Sequence, residues 1–397
     1  MTDRPFPRLL LFVATAATFL VTTTGSSLAP YLRSVASDLG RDLAAVSNLV
    51  SLQAIAWGVS SLLAGSLSDR VGRRPILAGS LVVLALARLI FARCESYPAA
   101  LALQVVTGIG GGAFMATVFA AVADRVPVEQ RGAALGWVIT GQSLSLVLGV
   151  PLVTLLGDFG GWRVAIAAHG VCVALAAGVV WYAVEGESAA DTHKARDPVS
   201  LREVMTLPMV YLLLAGTMER IGFATMAIYF ALFLQTSYDI SFSTLALASL
   251  CVALGNLLGN TIGSRIADRQ ANRTLLYAVA LAAASLMVFP LLMWPAHLWF
   301  SVALGALYSG VNAIGRPALM ATLSEVPREV RGALLGFNIT MASMGWLLAG
   351  SLGGYLVTHA GFVAVGAMCA TAGGLGSAFA LVQLRLAKRL KTLPATP

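Results

Sequence analysis

Twelve apolar runs, each about the length of a helix that crosses a bilayer, follow one another along the 397 residues. They lie near 9–30, 44–67, 75–93, 99–123, 132–156 and 163–184, then near 208–235, 243–267, 274–294, 298–322, 332–357 and 362–384. A hydrocarbon core of about 30 Å takes roughly 20 residues of α-helix. Inside it, a chain must satisfy its backbone hydrogen bonds internally, which a helix does by itself. The pattern predicts an all-α membrane protein with twelve transmembrane helices. Composition agrees, with 58% hydrophobic and only 11% charged residues, whereas a soluble domain carries about 25% charge to solvate its surface.

Two runs need a decision. Glu219 and Arg220 interrupt the seventh. If they marked a loop, residues 208–218 would be too few to cross, so one span carrying two charges is the better reading. Arg4 and Arg8 precede the first run, as in a secretory signal, but the run exceeds the roughly 7–15 residues of a signal core. It reads as the first span.

The net charge of +8 comes from short clusters between apolar runs, not from a continuous basic patch. That excludes a nucleic-acid surface and fits the cytoplasmic bias of Lys and Arg. With the N-terminus inside, nineteen basic residues fall on cytoplasmic ends and loops. Four fall outside, at Arg33, Arg41, Arg93 and Arg163, and Arg88, Arg220 and Arg316 lie within spans. Both termini are therefore expected in the cytoplasm. The cysteines, Cys94, Cys172, Cys251 and Cys369, show no CxxC spacing, so neither a disulfide frame nor a metal site is expected.

The chain repeats itself. Residues 126–140 read VPVEQRGAALGWVIT and residues 326–340 read VPREVRGALLGFNIT, ten of fifteen being identical at an offset of 200. A second echo pairs Asp69-Arg70 with Asp268-Arg269. The repeat is parallel, since six helices return the second half to the same side. It predicts an N-terminal six-helix bundle over 1–184, a cytoplasmic linker over 185–207, and a C-terminal six-helix bundle with a short cytoplasmic tail over 208–397. In the linker, Ser200 and Glu203 have capping-box spacing, which predicts a short surface helix.

Between the second and third runs, residues 65–74 read GSLSDRVGRR. This resembles the cytoplasmic-loop signature of the major facilitator superfamily, and span count, linker and repeat extend the resemblance over the whole chain. It implies the major facilitator fold, two pseudo-symmetric six-helix bundles that alternate access to a central site. It further implies a conformational latch on the cytoplasmic side, built from Gly65, Asp69, Arg70, Gly72, Arg73, Arg74 and Asp124. Gly65 would admit a neighbouring helix backbone, and Asp69 would face the positive N-terminus of the eleventh helix, near Arg331-Gly332. In the fifth span, Gly149 and Pro151 resemble the kink of the drug and sugar efflux branch, whose members exchange solute for protons, with Val150 separating the two. Gln104 stands where such antiporters often carry an arginine, and the first span has Thr22, Thr23 and Thr24 but no acid. Gly255, Gly259 and Gly263 recur every four residues on the eighth span, as Gly108 and Gly112 do on the fourth. Such faces are for helix packing.

A charge inside the bilayer costs about 2.5–3.5 kcal/mol on insertion scales, so an embedded charge is a functional candidate. Glu219 is the only embedded carboxylate and is the candidate proton carrier; a structural ion pair with Arg316 or Arg220 is the other reading. Arg316, just before Pro317, could pair with Glu219 or bind an anionic solute. Adjacent residues point about 100° apart on a helix, so Arg220 should face differently from Glu219. Arg88 is within snorkelling reach of the outer surface. Further candidates for a polar cavity are Gln104, Gln142, Tyr229, Tyr308 and Asn312; Asn256 and Asn260 could serve only to join helices.

There is no phosphate-binding loop, and none of the three lysines follows a glycine. The histidines are scattered, without a nucleophile or acid beside them. The expectation is a secondary active transporter, not an enzyme, needing no cofactor. It would be a monomer in the bacterial inner membrane, exporting a small organic molecule (drug-like, sugar or metabolite) in exchange for protons. Uptake or uniport of a small organic anion is the alternative, and a sensor or enzyme on the same scaffold is a weaker one.

Overall fold

The computed structural model describes residues 8–126, 130–184, 205–270, 272–293, 295, 297–324 and 328–392. The surface helix expected at Ser200 and Glu203 lies outside these, as do residues 127–129 and 326–327 of the repeated segments.

Every regular element among the described residues is helical. Helix α1 (Arg8–Ser26) passes through a 3-10 turn (Ala29–Tyr31) into the short α2 (Leu32–Asp38). Helices α3 (Leu43–Val71), α4 (Arg73–Phe91) and α5 (Tyr97–Arg125) follow. Two of these starts are capped by side chains: Asp42 accepts from the Ala45 amide at 2.8 Å, and Ser96 from that of Ala99 at 3.4 Å. Such caps satisfy amides that the first turn leaves without a partner.

The expected fifth span is broken in the middle. It runs as α6 (Arg131–Leu144), one π turn (Ser145–Gly149) and α7 (Val150–Leu155). Pro151 has no amide hydrogen to donate into the preceding turn, and the wider π turn absorbs the mismatch. At Gly149, a Cβ would meet the Thr23 hydroxyl of α1, so the break also allows a close approach. Helix α8 (Gly157–Ala183) completes the first half.

The second half holds α9 (Leu207–Tyr238), α10 (Phe242–Arg269), α11 (Arg273–Met293), α12 (Leu298–Ser324) and α13 (Arg328–Thr392). Among the described residues, eleven helices are long and apolar enough to cross a membrane. The last apolar stretch, Phe337–Arg389, has 53 residues, about 80 Å of helix at 1.5 Å per residue and far more than one crossing needs. Gly361, at φ +72°, bends α13 between the runs expected at 332–357 and 362–384. Gly161, at φ +68°, makes the corresponding turn near the start of α8. Both angles lie in the region that residues bearing a Cβ rarely enter. The eleven helices thus supply twelve crossings.

Packing divides the chain into two compact units, one of α1–α8 with residues 240–247, the other of α9–α13 without that segment. The first unit is filled by Leu81, Leu84, Phe114, Val118 and Val173. The second is filled by Leu212, Tyr277, Leu281, Leu319 and Leu323. Outside, Leu175, Leu258 and Leu286 stay exposed, as expected of surfaces solvated by lipid.

Small residues set how closely the helices approach. On α10, a Cβ at Gly255, Gly259 or Gly263 would strike the carbonyl oxygens of Ala306, Gly310 and Ile314 on α12. On α5, Gly108 and Gly112 meet the carbonyls of Gln53 and Trp57 on α3 in the same way. Gly65 differs from these, because a Cβ there would meet nothing within 4 Å among the described residues. It lies on a stretch of α3 whose neighbours Leu62, Leu63 and Leu67 are exposed.

This contrast is testable by thermal unfolding of purified protein. Gly259→Leu should lower stability by about 1–3 kcal/mol, because the added carbons push against backbone. Gly65→Ala should leave the melting temperature unchanged or slightly raised, since a helical alanine replaces a glycine in open space.

Candidate functional site

Helix α9 is the most enclosed of the candidate spans. Pro208 sits in its first turn, where a missing amide hydrogen costs nothing, and it runs 32 residues without a break. Glu219 lies on it with its side chain fully buried. Its Oε1 accepts from Arg316 Nη2 of α12 at 2.9 Å, and its Oε2 lies 3.2 Å from Arg220 Nε. The Arg316 and Arg220 side chains are 17% and 20% exposed.

The sequence had separated Arg220 from Glu219 on the ground that neighbouring Cα–Cβ bonds diverge. The structure corrects this. Cβ direction does not settle where a long arginine side chain ends, and the guanidinium turns back to the adjacent carboxylate.

Two aromatic residues that the sequence reading passed over complete the cluster. The Phe223 ring, one turn beyond Glu219, lies 4.6 Å from the Arg316 guanidinium carbon and 5.7 Å from that of Arg220. Trp346 of α13 meets Phe223 nearly edge-on at 6.1 Å. A ring face carries negative quadrupole density and attracts a cation. The i, i+4 spacing of Phe223 from Glu219 was a usable signal for the pair.

Other candidates fall around this centre. The Tyr277 hydroxyl of α11 donates to the Ala215 carbonyl, one turn before Glu219, at 3.1 Å. Tyr308 of α12 stands at Gly222, where a Cβ would lie 3.2 Å from its hydroxyl. Asn312 is 3% exposed, and its Oδ1 has no hydrogen-bond partner. Tyr229 instead donates to the Gly350 carbonyl at 2.7 Å, joining α9 to α13 farther along. Asn256 reaches the Ser309 hydroxyl at 3.3 Å, and Asn260 reaches Asn256 Oδ1 at 3.0 Å. That chain joins α10 to α12. Gln104 and Gln142 belong to the first unit, on α5 and α6. Gln104 is buried with its amide nitrogen unpartnered.

Also in the first unit, Arg73 bridges two acids. It pairs with Asp69, donates to Ser68, and holds Asp124 Oδ2 at 3.1 Å from its Nε. Gly72 ends α3, Arg70 is exposed, and Arg74 lies 4.2 Å over the Trp181 ring.

Arg88 requires a correction. It does not snorkel outward but is 1% exposed, donating from Nη2 to Ser27 Oγ at 2.8 Å. Ser27 in turn donates to the Thr24 carbonyl at 3.1 Å. Helix α1 stops at Ser26, so its carbonyl-rich, negative end accepts a cation there. His169 lies in the same unit, with Nε2 at 3.1 Å from the Leu20 carbonyl.

The Major Facilitator Superfamily sequence profile matches residues 14–218 and 212–396. The chain is 24% identical over 380 residues to the uncharacterized MFS-type transporter YwfA of Bacillus subtilis, covering 94% of this chain and 92% of that protein. It is 32% identical over 211 residues to a chloramphenicol resistance protein of Streptomyces lividans, spanning 53% of each. Among solved structures, a bacterial homologue of the human lysosomal transporter Spinster aligns over 99% of this chain and 100% of its own, with TM-score 0.77 and 15% identity. The nucleoside transporter NupG aligns over 95% and 99%, with TM-score 0.76 and 14% identity. Two units, twelve crossings and a profile that spans both halves agree: this chain belongs to the major facilitator superfamily, as a multi-pass membrane transport protein and not an enzyme.

Proposed function

We propose that the chain is a proton-coupled secondary active transporter of a small organic molecule, in which Glu219 takes up and releases the proton. The observation that carries this is one fully buried carboxylate inside an apolar span, held by two guanidiniums. A carboxylate costs too much in such a place to be retained for packing alone. It is also the one group of the cluster that can bind a proton and become neutral once its guanidinium partners move.

Export is the first direction we assign. Its support is the broken α6–α7 region around Gly149 and Pro151, together with the similarity over half its length to a chloramphenicol resistance protein. Uptake of a small organic anion is the second, favoured by the two arginines for each carboxylate. We assign the chain to the bacterial inner membrane as a monomer, both termini cytoplasmic, on the asymmetry of its basic residues. Residues 1–184 and 208–397 are the two bundles that would alternate access, joined by the linker 185–207. Arg73 with Asp69 and Asp124 is assigned as the cytoplasmic latch, and Gln104, Gln142, Tyr308 and Asn312 as polar groups near the solute path.

Two measurements test these assignments. In everted membrane vesicles, with chloramphenicol as the first probe, an imposed pH gradient should accelerate accumulation. Glu219→Gln should remove that acceleration, a loss of roughly tenfold on the scale of typical coupling energies. Unchanged dependence on the gradient would reassign Glu219 as a structural ion. For the latch, Asp124→Asn weakens a solvent-exposed pair worth about 0.2–1 kcal/mol. It should change the transport rate by up to about fivefold with little change in affinity. A fall in thermal stability with no change in rate would make the pair a fold element.

A further inference from the structure

Two guanidiniums share one carboxylate. Glu219 is, among the described residues, the only carboxylate paired with either Arg220 or Arg316. With all three ionised, the cluster holds one positive charge more than it compensates. That surplus lies on α9 and α12, in the part of the chain that spans the membrane, where an unpaired charge is costly. The local groups leave it unanswered. Arg316 Nε has no hydrogen-bond partner, and neither does Asn312 Oδ1, one helical turn earlier on α12. The Phe223 ring offsets part of the charge but supplies no anion. Phe223 and Trp346 are both partly exposed, and they set an apolar wall beside the arginines.

We infer that the solute recognised by this cluster is an organic anion, a carboxylate or sulfonate on a flat apolar body, which binds together with a proton and not in exchange for one. The inference rests on the reading of Glu219 as the proton-binding group, and it develops the second of the two directions given above. The acid group of the solute and the Glu219 carboxylate need the same forked donors. A solute that engages Arg316 leaves Glu219 with a poorer partner, so its carboxylate takes a proton more readily. By reciprocity, a proton on Glu219 releases Arg316 to the solute, and each ligand tightens the other.

Among the described residues, the other titratable groups facing Glu219 are Tyr277 of α11 and Tyr308 of α12, with Cys369 of α13 beside Tyr308. Tyr277 is committed to the Ala215 carbonyl, and Cys369 Sγ lies 3.8 Å from the Gly222 carbonyl. None of the three supplies a second carboxylate.

The test uses the full chain, purified in detergent, with two matched pairs of probes: benzoate against benzamide, and benzenesulfonate against benzenesulfonamide. The anions should raise the melting temperature, and their neutral partners should not. Benzenesulfonate stays ionised throughout, so its affinity reports on the protein alone. That affinity should rise as pH falls, by up to about tenfold per pH unit when one proton is linked to binding. In weakly buffered solution, binding should remove protons from the medium. Arg316→Gln should lose the anion response, and Glu219→Gln should keep it but lose its pH dependence. If Arg316→Gln fails to fold, Arg316→Lys keeps the charge without the fork and should bind both anions more weakly.

Stabilisation by the neutral probes equal to that by the anions, or by neither class, overturns the assignment of substrate. Anion binding that releases protons overturns joint binding and leaves Glu219 as a carrier working by exchange; binding indifferent to pH overturns joint binding and any proton linkage at this site. The vesicle result with Glu219→Gln is separate, since it can fail while anion binding survives.

Discussion

In hydrocarbon there is no water to take up a stray hydrogen bond, and that constraint organises the whole chain. Each backbone amide and carbonyl must find a partner within the segment, so every described span is a helix. The same pressure acts on hydroxyls. Thr15, Thr23, Thr107, Thr154 and Thr225 each donate to the carbonyl four residues back. A polar side chain is thereby neutralised by its own helix, and threonines can be distributed along spans without marking a site.

With the backbone satisfied internally, helices gain from one another through close packing and a few polar contacts. Glycine faces provide the first. The α10 face at Gly255, Gly259 and Gly263 lets the α12 carbonyls sit where side chains would otherwise stand. Hydroxyl and amide bridges provide the second, as where Tyr229 reaches Gly350 and Asn256 reaches Ser309. The breaks are local as well. The π turn before Pro151 and the bends at Gly161 and Gly361 redirect the chain while leaving long helices on either side.

Against this background the embedded charges stand out, and they divide by how each is answered. Arg88 is met by a hydroxyl relay and the end of a helix, a neutral arrangement that fastens the break in the first span. Arg220 and Arg316 converge on one buried carboxylate. The first kind of site answers a charge with neutral groups; the second answers two charges with one carboxylate, and the proposed proton coupling rests on that pairing.

Much of this was legible in the residues themselves. Run length and the scarcity of charge determine an all-helical membrane protein, because a bilayer admits few alternatives. The repeat at 126–140 and 326–340 sets two similar halves, and the loop at 65–74 points to the family. Glu219 and Arg316 were visible as exceptions to an apolar pattern. Tertiary structure decided what each exception meets. Arg220 folds back on its neighbour, Arg88 turns inward, and Phe223 and Trp346 join the charges. Local sequence carries periodicity and polarity, which govern helices one at a time. Where a flexible side chain ends, and which helix approaches a glycine, depend on segments distant along the chain, and only packing brings those together.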